Sequence, residues 1–428
     1  MVNSLPPQLE FVFDTFKYGK DSGILQLRAD NESFDGKRLY INGKETISFN
    51  TNNYLDFQDD ARVKEAAIEM IRKFGIHTSI PRPFMSFSHF EEAEQKLERI
   101  FGQPTLLCNT TSSGHFSYLP LIIGKNDAII MDQFVHKSVQ QTVQYLKADG
   151  VYAEFVRHNQ TDALEQRIKI LQEKYEKVWY LCDGVYSMHG DGAPFSDIEI
   201  LLNSYDSFYC YVDDAHGMSW IGENGKGYVF HHLPQHDKLF VITSLNKGFG
   251  SFCSVMVFPN QKTKDLIRTI GSSIIFSTCP PHSSIGALSA IADIHLSEEI
   301  YEKQMRLKEN IDYFNKKAIE LNIPLANNSF TPIFLVGCGD NDNTVAVAQH
   351  IIANGYITGI SSYPSVPLKN SGLRTNVNIN HTFIEIDGIL NAINEVMERL
   401  ENEGKLNRED VKKSFKSRKS KIVESLAS

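Results

Sequence analysis

Leu239-Phe240-Val241-Ile242-Thr243-Ser244-Leu245-Asn246-Lys247-Gly248-Phe249-Gly250 decides the fold. The unbroken apolar and β-branched run Leu239 to Thr243 reads as a strand buried on both faces. The glycines beyond it read as a turn that carries Lys247 out of the strand end. A second run, Phe208 to Val212, ends in Asp213-Asp214-Ala215-His216-Gly217. Further β-like runs, Thr105 to Cys108, Ala128 to Met131, Val151 to Val156, Val178 to Cys182 and Ser254 to Phe258, alternate with helical stretches. That alternation predicts an α/β protein with a mostly parallel central sheet and its chemistry at the carboxyl ends of the strands.

Outside this block the pattern changes. Residues 1–60 read as an arm with a short helical start and a hairpin around Asn42-Gly43. A helix is expected from Asp60 to Phe74, and a long one from Ser297 to Leu321. The expected domains are an arm (1–60), a large domain (61–300), a smaller C-terminal α+β domain (301–403) and a basic tail (404–428). The tail carries Lys412, Lys413, Lys416, Arg418, Lys419 and Lys421. It reads as a solvated end, or as a contact for an acidic partner such as an acyl carrier protein.

Composition narrows the class. The 428 residues are 42% hydrophobic and 22% charged, with mean hydropathy -0.26, which describes a globular protein of ordinary surface. A formal net charge of -9 argues against nucleic acid as the main partner. The six cysteines are scattered without a Cys-x-x-Cys pair, so neither a zinc site nor a disulfide framework is expected. The N-terminal MVNSLPPQLEFVF lacks the pattern of a secretory signal, and no apolar run is long enough to span a membrane. The expectation is a cytoplasmic enzyme without stable membrane insertion.

An amine and a carboxylate at neighbouring strand ends are what covalent attachment of pyridoxal 5'-phosphate (PLP) requires: Lys247 for the aldehyde, Asp213 for the ring nitrogen. Other residues join them. His216 is placed to donate to the phenolic oxygen, and His136, after the run Ile129 to Asp132, to lie on the ring. Thr111 and Ser112 open a helix after Cys108, where backbone N–H groups and hydroxyls would cradle a phosphate. Ser187 follows the strand Val178 to Cys182, and Arg374 offers a two-pronged contact to a carboxylate. Each also has an ordinary reading taken alone: turn, helix cap, surface histidine or edge-strand arginine.

Taken together and in this order, the motifs resemble the α-oxoamine synthases, the PLP-dependent acyltransferases that include 8-amino-7-oxononanoate synthase and serine palmitoyltransferase. The resemblance runs from Asn53-Tyr54-Leu55 to His381-Thr382. Its most specific pieces are Asp213 to Gly217, Gly184-Val185-Tyr186-Ser187-Met188 with Gly190-Asp191, and the Lys247 turn.

That resemblance implies a PLP-dependent transferase fold of type I and a homodimer. Lys247 would hold the cofactor and move protons. Asp213, His216, His136 and Ser187 would surround its ring. Thr111, Ser112 and Ser244 would lie at its phosphate, together with Thr278 from a neighbouring subunit. Asn53 and Arg374 would bind substrate. The implied reaction is decarboxylative condensation of an amino acid (serine, alanine, glycine or cysteate) with an acyl thioester, delivered by CoA or acyl carrier protein, in lipid or cofactor biosynthesis.

The rival readings are an aminotransferase of the same fold and a non-catalytic subunit of a heteromeric synthase. One departure from the family stands out. His77 to Phe87 replaces a glycine-rich stretch and brings in Arg82, which is either an exposed loop cation or a reader of a second anionic group on the amino acid.

Overall fold

The computed structural model describes residues 6–327, 330–363 and 365–415. Among the described residues the strands are β1 (Arg38–Ile41), β2 (Lys44–Ser48), β3 (Thr105–Cys108), β4 (Ala128–Asp132), β5 (Tyr152–Val156), β6 (Val178–Asp183), β7 (Phe208–Asp213), β8 (Leu239–Ser244), β9 (Ser254–Val257), β10 (Ile333–Gly339), β11 (Tyr356–Ile357), β12 (Gly359–Ser361) and β13 (Ser371–Asn376). The chain forms two compact units. One comprises 55–186 and 192–304; among the described residues the other comprises 6–54, 187–191 and 305–415.

The larger unit is built on a seven-stranded sheet of order β3-β9-β8-β7-β6-β4-β5. Pairing is parallel from β8 through β5, and β9 runs antiparallel to both its neighbours. Every residue of β3, β4, β6, β8 and β9 is buried. This explains the continuous apolar runs: with helices over both faces there is no solvent side on which a polar alternation could survive. The α/β, mostly parallel architecture expected from those runs is the one present. The core over one face includes Tyr118, Val139, Val143, Trp179, Tyr211 and Phe240. The expected helix after Asp60 spans Ala61–Phe74, with the Asp60 side chain accepting from Arg62 N–H as its cap.

The second unit holds two three-stranded sheets, β1-β2-β11 and β10-β13-β12. Asn42 and Gly43, at φ 52 and 74, make the tight β1–β2 turn that only such residues accept readily. The contacts divide the chain differently from boundaries at 60, 300 and 403. β2 pairs in parallel with β11, Ile47 opposite Tyr356, so backbone hydrogen bonds tie the arm to the C-terminal segment in one unit. His381 stacks on Phe49 with ring centroids 3.9 Å apart, and its Nε2 faces the Ser48 carbonyl at 3.0 Å. Helix Phe383–Asn402 then starts with a reciprocal Thr382/Glu385 capping box.

The tail from 404 is described to residue 415, where Lys412 and Lys413 lie on or at the end of helix Arg408–Ser414. Lys416, Arg418, Lys419 and Lys421 lie outside the described residues. Among the described residues no helix is long and apolar enough to cross a membrane.

Candidate active site

Parallel pairing of β6, β7 and β8 brings their carboxyl ends to one edge, with Asp183 in register with Asp213 and Asp213 with Ile242. Asp213 closes β7 in full burial. Its Oδ1 accepts the Ala215 N–H at 3.1 Å, and its Oδ2 lies 3.1 Å from His115 Nε2. Burial opposes its charge, but the His115 hydrogen bond and the nearby charges of His115, His136 and Lys247 outweigh it, and the carboxyl stays below the ordinary range. Asp183 goes the other way: burial, then the charge of Asp213, push it well up. The two neighbouring carboxyls are thus pushed in opposite directions, Asp213 down and Asp183 up.

Lys247 leaves β8 through a loop closed by Leu245 N–H to Cys253 O at 2.9 Å and Ser251 N–H to Leu245 O at 2.7 Å. Its Nζ lies 3.0 Å from Nε2 of His216. His136 caps helix Lys137–Ala148, and its own N–H donates to Asp183 Oδ1 at 3.0 Å. Burial lowers its imidazole, with Asp213 pulling back and Lys247 adding to the decrease.

Helix Thr111–Ile122 opens at the same edge. Thr110 and Ser113 form its capping box, which leaves the N–H groups of Thr111 and Ser112 at the open end of the helix. Thr111, His136, Asp183, Val185, Asp213, Ala215, His216 and Lys247 line one cavity.

Not every expected residue lines this cavity. Ser112 is exposed in the first helical turn. The Ser244 hydroxyl donates to Asn246 Oδ1. The Thr278 hydroxyl lies 2.5 Å from His77 Nε2, and its carbonyl accepts from the Asn109 amide at 2.5 Å.

In the second unit Arg374 sits in β13 and is itself buried. Its Nε donates to the Ser187 carbonyl and its Nη2 to Asn52 Oδ1 at 3.1 Å. Burial lowers the guanidinium; burial likewise raises the Tyr54 hydroxyl to about 12, with the charge of Arg374 opposing. Ser187, expected at the cofactor, offers Arg374 its backbone carbonyl. The asparagine that meets Arg374 is Asn52. Asn53 lies buried beside it, its N–H donating to Thr51 Oγ1 at 3.1 Å.

Arg82 requires a correction. It is neither an exposed loop cation nor open to a substrate anion. Its guanidinium donates to Glu94 Oε1 and to the Leu107 carbonyl, both at 2.9 Å, and the side chains of Arg82 and Glu94 are 8% and 2% exposed. Glu94 also accepts the Leu107 N–H at 3.1 Å and pairs with Arg268. The loop arginine therefore neutralises a buried carboxylate.

The second aspartate of the pair, Asp214, is enclosed. A Cβ at Gly184 or Gly217 would lie 2.0 Å from its Oδ1, and one at Gly227 2.6 Å from its Oδ2. Oδ2 accepts the Val229 N–H at 3.2 Å, and burial raises this carboxyl well above the ordinary range.

Three residues escaped the sequence reading: His115, Asp183 and Asn52. His115 follows Thr111 by four positions and so shares its helix face, a spacing that would have revealed it. An amine, an ionised carboxylate with an imidazole behind it, a second imidazole at the amine and an open helix N-terminus form the donor set PLP needs, and they fit it. Among the described residues no cluster of three or more His, Cys, Asp or Glu could hold a metal ion.

The family model described as aminotransferase class I and II matches residues 44–393. The 8-amino-7-oxononanoate synthase of Alkaliphilus oremlandii is 29% identical over 396 residues, which is 92% of this chain and 98% of that protein. The 8-amino-7-oxononanoate synthase of Thermoanaerobacter pseudethanolicus is also 29% identical, over 397 residues, with 92% and 98% covered. A serine palmitoyltransferase of S. paucimobilis, solved with a bound adduct of PLP and myriocin, has a TM-score of 0.83 at 22% identity and covers 94% of this chain and 100% of its own.

Proposed function

The chain belongs to the class I and II aminotransferase family, and from that premise we propose that it is a PLP-dependent α-oxoamine synthase. It condenses an amino acid with an acyl thioester, releasing carbon dioxide and the free thiol and leaving an α-amino ketone. The observation that carries this reading is the single cavity shared by Lys247, Asp213, His216 and His136. The relatives named as oxononanoate synthases favour condensation over transamination.

Bound there, PLP supplies an aldehyde for an amine and a protonated ring that accepts electrons from the carbon losing its proton or carboxylate. Lys247 would hold the cofactor through Nζ, and its amine would take and return the proton at the substrate α-carbon. Asp213 would keep the ring nitrogen protonated. His216 would bond the phenolic oxygen, and it orients the Lys247 amine. His136 would close one face of the ring, its backbone N–H to Asp183 fixing its position. The N–H groups of Thr111 and Ser112 would hold the phosphate.

Arg374, oriented by Ser187 and Asn52, takes the amino acid's carboxylate. The working unit is a homodimer in which a second copy brings Thr278 towards the phosphate, and the enzyme acts in the cytoplasm. CoA and acyl carrier protein are both accommodated by this reading.

The test is a coupled assay on the purified PLP-loaded protein with serine, alanine, glycine and cysteate singly, each with an acyl-CoA. Equal release of carbon dioxide and free thiol is expected. Formation of a keto acid with neither released would mean transamination.

A further inference from the structure

We propose that His115 is a positioning residue for this reaction, holding the Asp213 carboxylate in the orientation that the cofactor's ring nitrogen needs through a hydrogen-bonded series Tyr211–His115–Asp213. The inference rests on the PLP-site reading above.

The geometry is specific. His115 is wholly buried on helix Thr111–Ile122, its Nε2 3.1 Å from Asp213 Oδ2 and its Nδ1 2.8 Å from the Tyr211 hydroxyl. Tyr211 precedes Asp213 by two residues on β7, so the two side chains leave the same face of the strand. The Tyr211 ring is fixed by edge-on packing against Tyr118, with centroids 5.4 Å apart and planes at 79°. Burial pushes the Tyr211 hydroxyl well above its ordinary value, so it remains a donor. The Asp213 carboxylate can only accept, so Nε2 carries the hydrogen between them, and Nδ1 is engaged by the Tyr211 hydroxyl.

The Ala215 N–H fixes Oδ1 at 3.1 Å, and with both oxygens tethered the carboxylate cannot rotate. A polar ring in a layer of apolar side chains costs stability unless its hydrogen bonds are made, and here both ring nitrogens are used. Outer partners that orient metal ligands are worth about 10- to 100-fold in affinity or activity, and His115 stands in the same relation to a group that would contact the cofactor.

The experiment compares the wild-type holoenzyme with His115→Leu, His115→Gln and Tyr211→Phe. It reads the dissociation constant for PLP, the absorbance maximum of the bound cofactor, and kcat and KM for the amino acid. His115→Leu is expected to weaken PLP binding and lower kcat by about 10- to 100-fold, to displace the absorbance maximum, and to leave KM little changed. His115→Gln, which keeps an N–H facing Asp213, is expected to recover most of each loss. Tyr211→Phe should displace the absorbance in the same direction by less.

A folded His115→Leu protein with wild-type PLP affinity, spectrum and kcat would overturn the proposal. So would equal losses in the Leu and Gln variants with no spectral change, which would mark a packing role. Should His115→Leu not fold, the Tyr211→Phe spectrum decides: a displacement supports the series, and an unchanged spectrum overturns it. A wild-type protein that forms no cofactor band would overturn the site reading itself, an outcome told apart because it appears before any substitution.

Discussion

Lys247 Nζ lies 3.0 Å from Nε2 of His216, so the amine at the end of β8 meets an imidazole carried on the loop after β7. This pairing aims the amine into the cavity, where Asp213 lies at the adjoining strand end.

Replacing Lys247 with arginine keeps the positive charge and removes the nucleophile. Turnover is expected to fall by at least about 100-fold, because the general base is lost with the anchor. Borohydride reduction followed by mass spectrometry should find a cofactor adduct on the Lys247 peptide of the wild type and none in Lys247→Arg.

Arg82→Met breaks a buried ion pair and leaves Glu94 with Arg268 alone. The expected cost is about 3 kcal/mol in urea unfolding, with the relative rates for serine, glycine, alanine and cysteate unchanged in the folded variant. A change in amino-acid preference with no loss of stability would restore a substrate role for this arginine.

Arg374→Lys tests the carboxylate contact. Lysine keeps the charge but cannot satisfy Ser187 and Asn52 while also presenting a planar fork. Initial-rate kinetics should show KM for the amino acid rising about ten-fold or more, with a smaller change in kcat. An unchanged KM would assign the carboxylate to another group.

His295 predicts acid sensitivity. It is buried against Phe57 and Phe249, and burial lowers it from 6.5 to about 4. The folded state therefore resists a proton that the unfolded chain takes up near 6.5. Its contribution is intact above that value and is lost as the pH falls towards 4, amounting to about 3 kcal/mol at the lower limit. His381, also lowered to about 4, acts in the same direction. Urea unfolding between pH 7 and 4.5 should give a shallower pH dependence for His295→Gln than for the wild type.

The strands were legible because full burial on two faces leaves an unbroken apolar run, as in Leu239–Ser244, and because a lysine or an aspartate after such a run interrupts the pattern. Thr111, His136, Asp213, His216 and Lys247 were found this way and meet in one cavity. What stayed hidden depended on contacts distant in sequence. Arg82 looked like a loop cation because neither Glu94 nor Arg268 announces its partner. Asn52 and Asn53 are indistinguishable until the chain turns one of them towards Arg374. The pairing of β2 with β11 joins segments about three hundred residues apart, which no local pattern encodes.

The enclosure of Asp214 links positions that look unrelated along the chain. Gly184, Gly217 and Gly227 each stand where a methyl group would occupy the space of the same carboxyl. Alanine at any one of them is an overpacking change, and trimming Asp214 to serine in the same molecule makes room for it. Mutational libraries of this enzyme should treat these four sites as one unit, since randomising them separately samples mostly collisions.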